Sequence, residues 1–239
     1  MLSKIKINWE FLLLALLSSL VLTGVGLLLN LPDLLLIVLY SAGVFVALRL
    51  LGFKMHVPKY RDEFKFNWLI FVPVLYVFGV FFVAKLLIEP FVPGFFAGSG
   101  AFSFWTLLIA LPFVFVSAFM EELGWREFLF KGEGNWMAKN IGIGVTWSLW
   151  HWPAVIFGAY PVTPPIYFGL LFFTVNLVLL SLIFGKLRVR FGLLAAVVAH
   201  SIHNLAFGQL NESFVVDESG LLFMLGLILT IFGLKAWKK

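Results

Sequence analysis

Long apolar runs separated by short polar stretches cover most of the chain. Eight of these runs come close to the roughly 20 residues that a helix needs to cross about 30 Å of hydrocarbon. The pattern therefore predicts an all-α polytopic membrane protein, a bundle of about eight transmembrane helices. The predicted segments are Phe11–Leu29, Leu34–Phe53, Trp68–Leu87, Phe102–Phe130, Ile141–Phe157, Ile166–Phe184, Phe191–Gly208 and Leu221–Trp237.

The composition excludes soluble alternatives. Of the 239 residues, 62% are hydrophobic and 12% are charged, and the mean hydropathy is +1.04. A soluble domain of this length must coat itself with polar groups, so a soluble enzyme, a disordered chain and a secreted disulfide scaffold are all excluded. The chain has no cysteine, which also removes thiol nucleophiles and cysteine-ligated zinc.

The basic residues indicate membrane orientation. The net charge is +5, but the lysines and arginines lie beside apolar segments and form no stripe, so we expect no nucleic-acid partner. Of the 17 basic residues, all but Lys85 lie at alternate segment boundaries. This asymmetry predicts eight spans with both termini in the cytoplasm. We expect one transmembrane domain over residues 1–239, in the plasma membrane.

Polar side chains interrupt the apolar segments at three places. A charge near the centre of a spanning helix costs about 2.5–3.5 kcal/mol, so such groups face the bundle interior and mark a functional site. At about 1.5 Å per residue, the polar groups of the three segments lie at one depth, roughly 15 Å from the cytoplasmic boundary. We therefore expect one internal polar cavity, open to the cytoplasm or sideways to lipid. Its residues are Glu121, Glu122, Arg126, His151, His200, His203 and Asn204.

Helical spacing adds geometry to this set. Glu122 and Arg126 are four residues apart on one helix face, which predicts an internal ion pair. Glu121 is rotated by about 100° from Glu122, so we expect its carboxylate to point elsewhere with its lone pairs free. His200 and Asn204 are also four apart and present two donors to one point.

These residue types suit the hydrolysis of an amide bond. A buried glutamate and a histidine can activate water, and a histidine N–H with an asparagine amide can stabilise an oxyanion. Other membrane protease types lack their residues here. The only aspartates are Asp33, Asp62 and Asp217, all in predicted loops, and there is no HExxH zinc signature or Gly-x-Ser-x-Gly context.

Three segments, in this order, resemble the motifs of the CPBP family (CaaX proteases and bacteriocin-processing enzymes, also called Abi). Glu121–Arg126 resembles its Glu-Glu-x-x-x-Arg motif, and His200–Asn204 resembles its His-x-x-x-Asn motif. Trp147–His151 resembles the Phe-x-x-x-His motif with tryptophan in place of phenylalanine, which keeps an aromatic ring and the histidine. The motif-bearing core is about residues 102–208.

The resemblance implies an intramembrane endopeptidase similar to the Ras-converting CaaX prenyl endopeptidase, acting on a peptide or lipidated protein in the lipid bilayer. It implies Glu121 as the base with His151 on the water, and His200 with Asn204 as the oxyanion hole. Glu122 and Arg126 would shape the site, and Trp147 and His203 would lie just outside it.

The resemblance also raises the question of a metal. Members of the family have been classed as metalloproteases, and the motifs offer zinc two histidines and one glutamate. The related enzyme uses a metal-independent glutamate mechanism, so we expect no cofactor and keep a zinc-dependent variant as an alternative.

Two other functions use the same residue types. A non-catalytic bacteriocin-immunity or scaffold protein would retain a vestigial site, but the motif set here is intact. A proton-coupled transporter also needs buried glutamate and histidine, but it should show paired half repeats and broken helices, which the sequence does not. Nothing in the sequence selects a prenylated substrate over a bacteriocin-related peptide.

Overall fold

The structure, a computed structural model, describes residues 6–53, 90, 104–131, 135–157, 164–207, 224, 227–228 and 231. Six helices with defined bounds lie in these ranges: α1 (Trp9–Leu28), α2 (Asp33–Leu50), α3 (Phe104–Glu122), α4 (Trp136–Ile156), α5 (Ile166–Phe191) and α6 (Leu193–Phe207). A π-helical segment, Leu123–Phe128, continues α3. Two short strands, β1 (Lys6–Ile7) and β2 (Phe130–Lys131), pair antiparallel.

Several of these helices are built to lie in lipid. Within the described ranges, four stretches are long and apolar enough to cross a membrane: Trp9–Leu28, Asp33–Leu50, Leu108–Phe128 and Ile166–Phe191. The predicted all-α membrane protein is confirmed. The predicted segment Trp68–Leu87 and most of Leu221–Trp237 fall outside the described residues, so the count of eight spans stays a prediction.

The predicted end of the sixth segment is wrong. Helix α5 continues past Phe184 to Phe191, so Lys186, Arg188 and Arg190 lie on its last turns rather than in a loop. The apolar count stops at the first basic residue, but lysine and arginine are good helix formers. The helix ends where Gly192 adopts a φ of 91°, a left-handed conformation that glycine adopts without strain.

The start of the fifth segment and the end of the fourth also differ from expectation. Helix α4 begins at Trp136, five residues before Ile141, because the Asn135 side chain caps it by accepting from the Met137 N–H. The fourth segment is not one α-helix to Phe130, since α3 gives way to the π-helical segment after Glu122. A π-turn is rare and is frequently found at functional sites.

The helices pack so that α3, α4 and α6 can share one interior. Helix α2 packs against α1 and α3, α5 packs against α4 and α6, and α6 also packs against α3. Small residues allow the closest approaches: Gly43 of α2 lies against the Ser19 backbone of α1, and Gly144 of α4 lies against the Val178 backbone of α5. The motif-bearing helices are thereby held next to one another.

Candidate active site

The carboxylate of Glu121, at the end of α3, is buried and held by donors from three helices. Its Oε1 accepts hydrogen bonds from the Ser41 hydroxyl of α2 at 2.8 Å and the Ser117 hydroxyl of α3 at 3.4 Å. Its Oε2 accepts from the Trp147 indole N–H of α4 at 2.8 Å. The expectation that its lone pairs stay free is wrong, because a carboxylate taken out of water needs donors to offset its desolvation.

Glu122 points in another direction and forms the predicted ion pair. Its Oε2 accepts from Arg126 Nε at 2.8 Å. Its Oε1 lies 3.0 Å from His200 Nδ1 of α6, and a carboxylate there accepts the ring N–H. Glu122 therefore neutralises the arginine and orients the imidazole at the same time.

Arg126 ties this pair to two further helices. Its Nη1 donates to the Ser181 hydroxyl of α5 at 2.7 Å and contacts Asn140 Oδ1 of α4 at 3.5 Å. The Ser181 hydroxyl in turn donates to the Asn140 carbonyl at 2.8 Å. This network fixes the end of α3 against α4 and α5, so the two carboxylates next to it are held firmly.

His200 stands between the two carboxylates. While its Nδ1 engages Glu122, its Nε2 lies 4.0 Å from Glu121 Oε2, too far for a direct hydrogen bond. The ring stacks on Phe184 of α5 with centroids 5.2 Å apart and meets the Trp147 ring edge-on at 5.0 Å. Packing on both faces therefore leaves the imidazole in one orientation.

His151 of α4 also contacts Trp147. Its Nδ1 is 3.1 Å from the Trp147 carbonyl, and its ring meets the Trp147 ring with centroids 5.8 Å apart. The structure thus brings together the three groups that sequence spacing placed at one depth.

Two further predicted residues are on α6. Asn204 is half-buried one turn after His200, and it has no side-chain hydrogen bond within the described ranges. His203 is buried and meets the Phe184 ring with centroids 6.2 Å apart. His203 therefore packs beside the aromatic ring that supports His200.

The side chains around Glu121 bear on whether the site could hold a metal ion. In the part of the chain that the structure describes, no three histidine, aspartate or glutamate side chains are grouped to hold one. Glu121 Oε1 accepts from the Ser41 and Ser117 hydroxyls, and Oε2 accepts from the Trp147 indole N–H, which leaves one lone pair on Oε2.

Sequence patterns did not point to α2, yet it contributes two neighbouring side chains. Ser41 donates to Glu121, and the Tyr40 hydroxyl donates to the Trp150 carbonyl. The Tyr40 ring also meets the His151 ring, with centroids 6.1 Å apart. The sequence signal was weak: two adjacent polar side chains, Tyr40 and Ser41, near the middle of the apolar run of residues 34–53.

Comparison with known proteins gives one finding. A family profile described as type II CAAX prenyl endopeptidase Rce1-like matches residues 103–206, which span α3, α4, α5 and most of α6. No curated protein and no solved structure matches the chain. The matched segment contains all three motifs, whereas α1 and α2 lie outside it.

Proposed function

We propose that the protein hydrolyses a peptide bond in a lipidated or membrane-associated peptide, because residues 103–206 match the Rce1-like family of type II CAAX prenyl endopeptidases. The family is one of proteases, and the protein is an integral membrane protein. The family named by this match makes a C-terminal, prenylated peptide the first substrate to test.

One observation carries the proposal. Glu121 Oε2 and His200 Nε2 are buried and lie 4.0 Å apart, on separate helices. Contacts with the protein hold both side chains in place. Glu121 accepts from three donors, and His200 contacts Glu122 and two aromatic rings. A pair of preorganised groups at this separation can contact one small reacting group together, which is the arrangement that hydrolysis requires.

The proposed reaction begins with water on Glu121 and His151. Glu121 takes a proton from the water as its oxygen attacks the carbonyl carbon, and the carbonyl oxygen becomes an oxyanion. His200 Nε2 and the Asn204 amide donate to that oxyanion, which requires a proton on both His200 nitrogens while Nδ1 stays on Glu122. The C–N bond then breaks, and the proton held by Glu121 passes to the leaving amine.

The supporting residues have separate roles in this proposal. Glu122 sets the His200 ring orientation, and Arg126 holds Glu122 through the network that reaches Ser181. Trp147 donates to Glu121 and contacts both histidine rings. No cofactor is needed, because the base, the donors and the water account for every proton and bond.

The larger architecture belongs to the same proposal. We take residues 1–239 to form one transmembrane domain of eight spans, with both termini in the cytoplasm of a plasma-membrane protein. The polar site then opens toward the cytoplasm or sideways to lipid, where the C-terminal part of a lipid-anchored peptide can reach it.

The proposal is tested with Glu121→Gln. The full chain in detergent or vesicles is given a quenched fluorescent peptide with a prenylated cysteine, and cleavage is followed with time. We expect the variant to lose at least about a hundredfold in kcat/KM, because glutamine cannot accept the proton of water.

Glu127→Gln is the matched control. Glu127 lies on the π-helical segment that continues α3, and its carboxylate pairs with Arg188 of α5 at 2.6 Å. It should keep its activity to within a few-fold. Full activity in Glu121→Gln, with the thermal unfolding midpoint unchanged, contradicts the proposal.

A further inference from the structure

Asn176 of α5 carries a buried acceptor that the proposed mechanism does not use. The residue is 0% exposed, and its Nδ2 donates to the Phe172 carbonyl of its own helix at 3.0 Å. Its Oδ1 is buried and has no hydrogen-bond partner. An asparagine inside a membrane usually bridges two helices, but the amide here bonds only within α5. The unpaired oxygen therefore costs stability and needs another explanation.

Asn176 lies on the side of α5 that faces the active site. Phe173, three residues earlier, meets the His151 ring with centroids 5.9 Å apart, and Phe184, eight residues later, stacks on His200. At about 100° per residue these positions share one half of the helix surface. Asn176 thus lies along α5 between the contacts to the two histidines.

Asn176 is buried to about the same degree as the groups that we propose as catalytic. Glu121 is 4% exposed and His200 is 1% exposed, so they are closed off to nearly the same degree. Phe184, whose ring stacks on His200, is on the same side of α5 as Asn176.

A peptide entering this site needs hydrogen-bond acceptors. Its backbone N–H groups leave water, and each one that finds no partner in the hydrocarbon region costs several kcal/mol. A buried acceptor that has no partner in the protein would offset that cost for one N–H. The protein would not have to break an existing hydrogen bond to accept it.

We propose that Asn176 Oδ1 accepts a hydrogen bond from a backbone N–H of the peptide substrate, next to the bond that is cut. This rests on the proposed function and makes Asn176 a substrate-binding residue of that same site. The recognised chemistry is the peptide backbone, so it does not depend on substrate side chains.

The first test compares Asn176→Leu with the wild-type full chain. Leucine has a similar size and removes the unpaired oxygen, so the unfolding midpoint should stay the same or rise. Cleavage of the prenylated peptide should fall about tenfold in kcat/KM, mainly through KM, because one substrate N–H loses its partner. A purely structural asparagine would instead lower the midpoint.

Thr23→Val is the matched control. Thr23 Oγ1, on α1, is likewise a buried oxygen without a partner. Its removal should leave kcat/KM unchanged to within about twofold, since α1 carries none of the motif residues. If Asn176→Leu does not fold, Asn176→Ala removes the same oxygen without adding bulk.

An ester scan of the substrate identifies the donor. Peptides with one backbone N–H at a time replaced by an ester oxygen, at positions other than the cut bond, are given to both enzymes. One replacement should lower kcat/KM of the wild type about tenfold and leave the Asn176→Leu enzyme unaffected. Equal losses in both enzymes at every position overturn the proposal.

The outcomes separate this inference from the function beneath it. Unchanged kcat/KM in Asn176→Leu, with cleavage abolished in Glu121→Gln, overturns the role of Asn176 alone. Full cleavage in Glu121→Gln overturns the proposed mechanism.

Discussion

Ser41 offers a direct way to measure how much the support of Glu121 contributes to activity. Its hydroxyl is buried, donates to Glu121 Oε1 at 2.8 Å, and lies 2.6 Å from the Ser117 hydroxyl. Both serines converge on one carboxylate oxygen. The carboxylate that we propose as the base is therefore positioned partly by α2, a helix outside the segment that matches the family.

Replacing Ser41 by alanine should lower kcat/KM about tenfold, because a hydrogen bond to a charged group is lost and Ser117 replaces only part of it. Steady-state cleavage of the prenylated peptide measures the loss, and Ser41→Thr, which keeps the hydroxyl, should restore most of the rate. Ser18→Ala on α1 is the control. A rate in Ser41→Ala equal to that of the control means that Glu121 needs no donor from α2.

Chelation should leave the activity unchanged. In the described part of the chain no three histidine, aspartate or glutamate side chains are grouped to hold a zinc ion, and the proposed reaction uses protein side chains and water alone. Cleavage is measured before and after treatment with a strong zinc chelator. Loss of activity that zinc addition restores favours the zinc-dependent alternative.

The Glu122–Arg126 pair was predictable, whereas the Ser41–Glu121 contact was not. The first contact lies on one helical stretch at a spacing of four, which sequence alone specifies. The second joins residues 80 positions apart and depends on how α2 packs against α3. Sequence spacing gives the direction in which a side chain leaves its own helix. It does not give which residue of a neighbouring helix lies in that direction.

Among the helices, close packing depends on small residues at defined positions. A Cβ on Gly43 would meet backbone atoms of Ser19, whereas a Cβ on Gly24 of α1 would meet nothing within 4 Å. Both glycines lie within helices, but only Gly43 is in close contact with a neighbouring helix.

Gly43→Ala should lower the free energy of unfolding by about 1–3 kcal/mol, because α1 and α2 must separate to admit the methyl group. Gly24→Ala should have no effect or stabilise by up to about 1 kcal/mol, since alanine is the better helix former. Denaturant unfolding in detergent compares them. Equal stability of the two variants means that the contact between α1 and α2 can relax without cost.

Helix existence followed from hydrophobicity, but helix ends did not. The apolar pattern located α1 and α2 to within a few residues. It missed the start of α4, which a polar cap defines, and the end of α5, where charged residues continue the helix. The π-helical segment has no signature in the pattern, because hydrophobicity indicates which residues are buried and not how tightly the backbone turns.

For the molecule in its membrane, the charge asymmetry makes a topological prediction. The chain has no cysteine, so single cysteines introduced at Asp62 and Ser99 can be labelled selectively. In sealed cells a membrane-impermeant thiol reagent should label the cysteine at 99 but not that at 62, since basic flanks stay in the cytoplasm. The reverse pattern means that the orientation is inverted.

The pairing of β1 with β2 has a practical consequence for handling the protein. In this pairing Lys6 lies opposite Lys131 and Ile7 lies opposite Phe130. Strand β2 comes shortly after the π-helical segment that follows Glu121 and Glu122. An affinity tag or fluorescent fusion placed directly ahead of Lys6 can therefore disturb the strand pairing, and with it the backbone that leads to the two carboxylates. A purification handle at that end needs a spacer, and activity should be compared after the handle has been cleaved away.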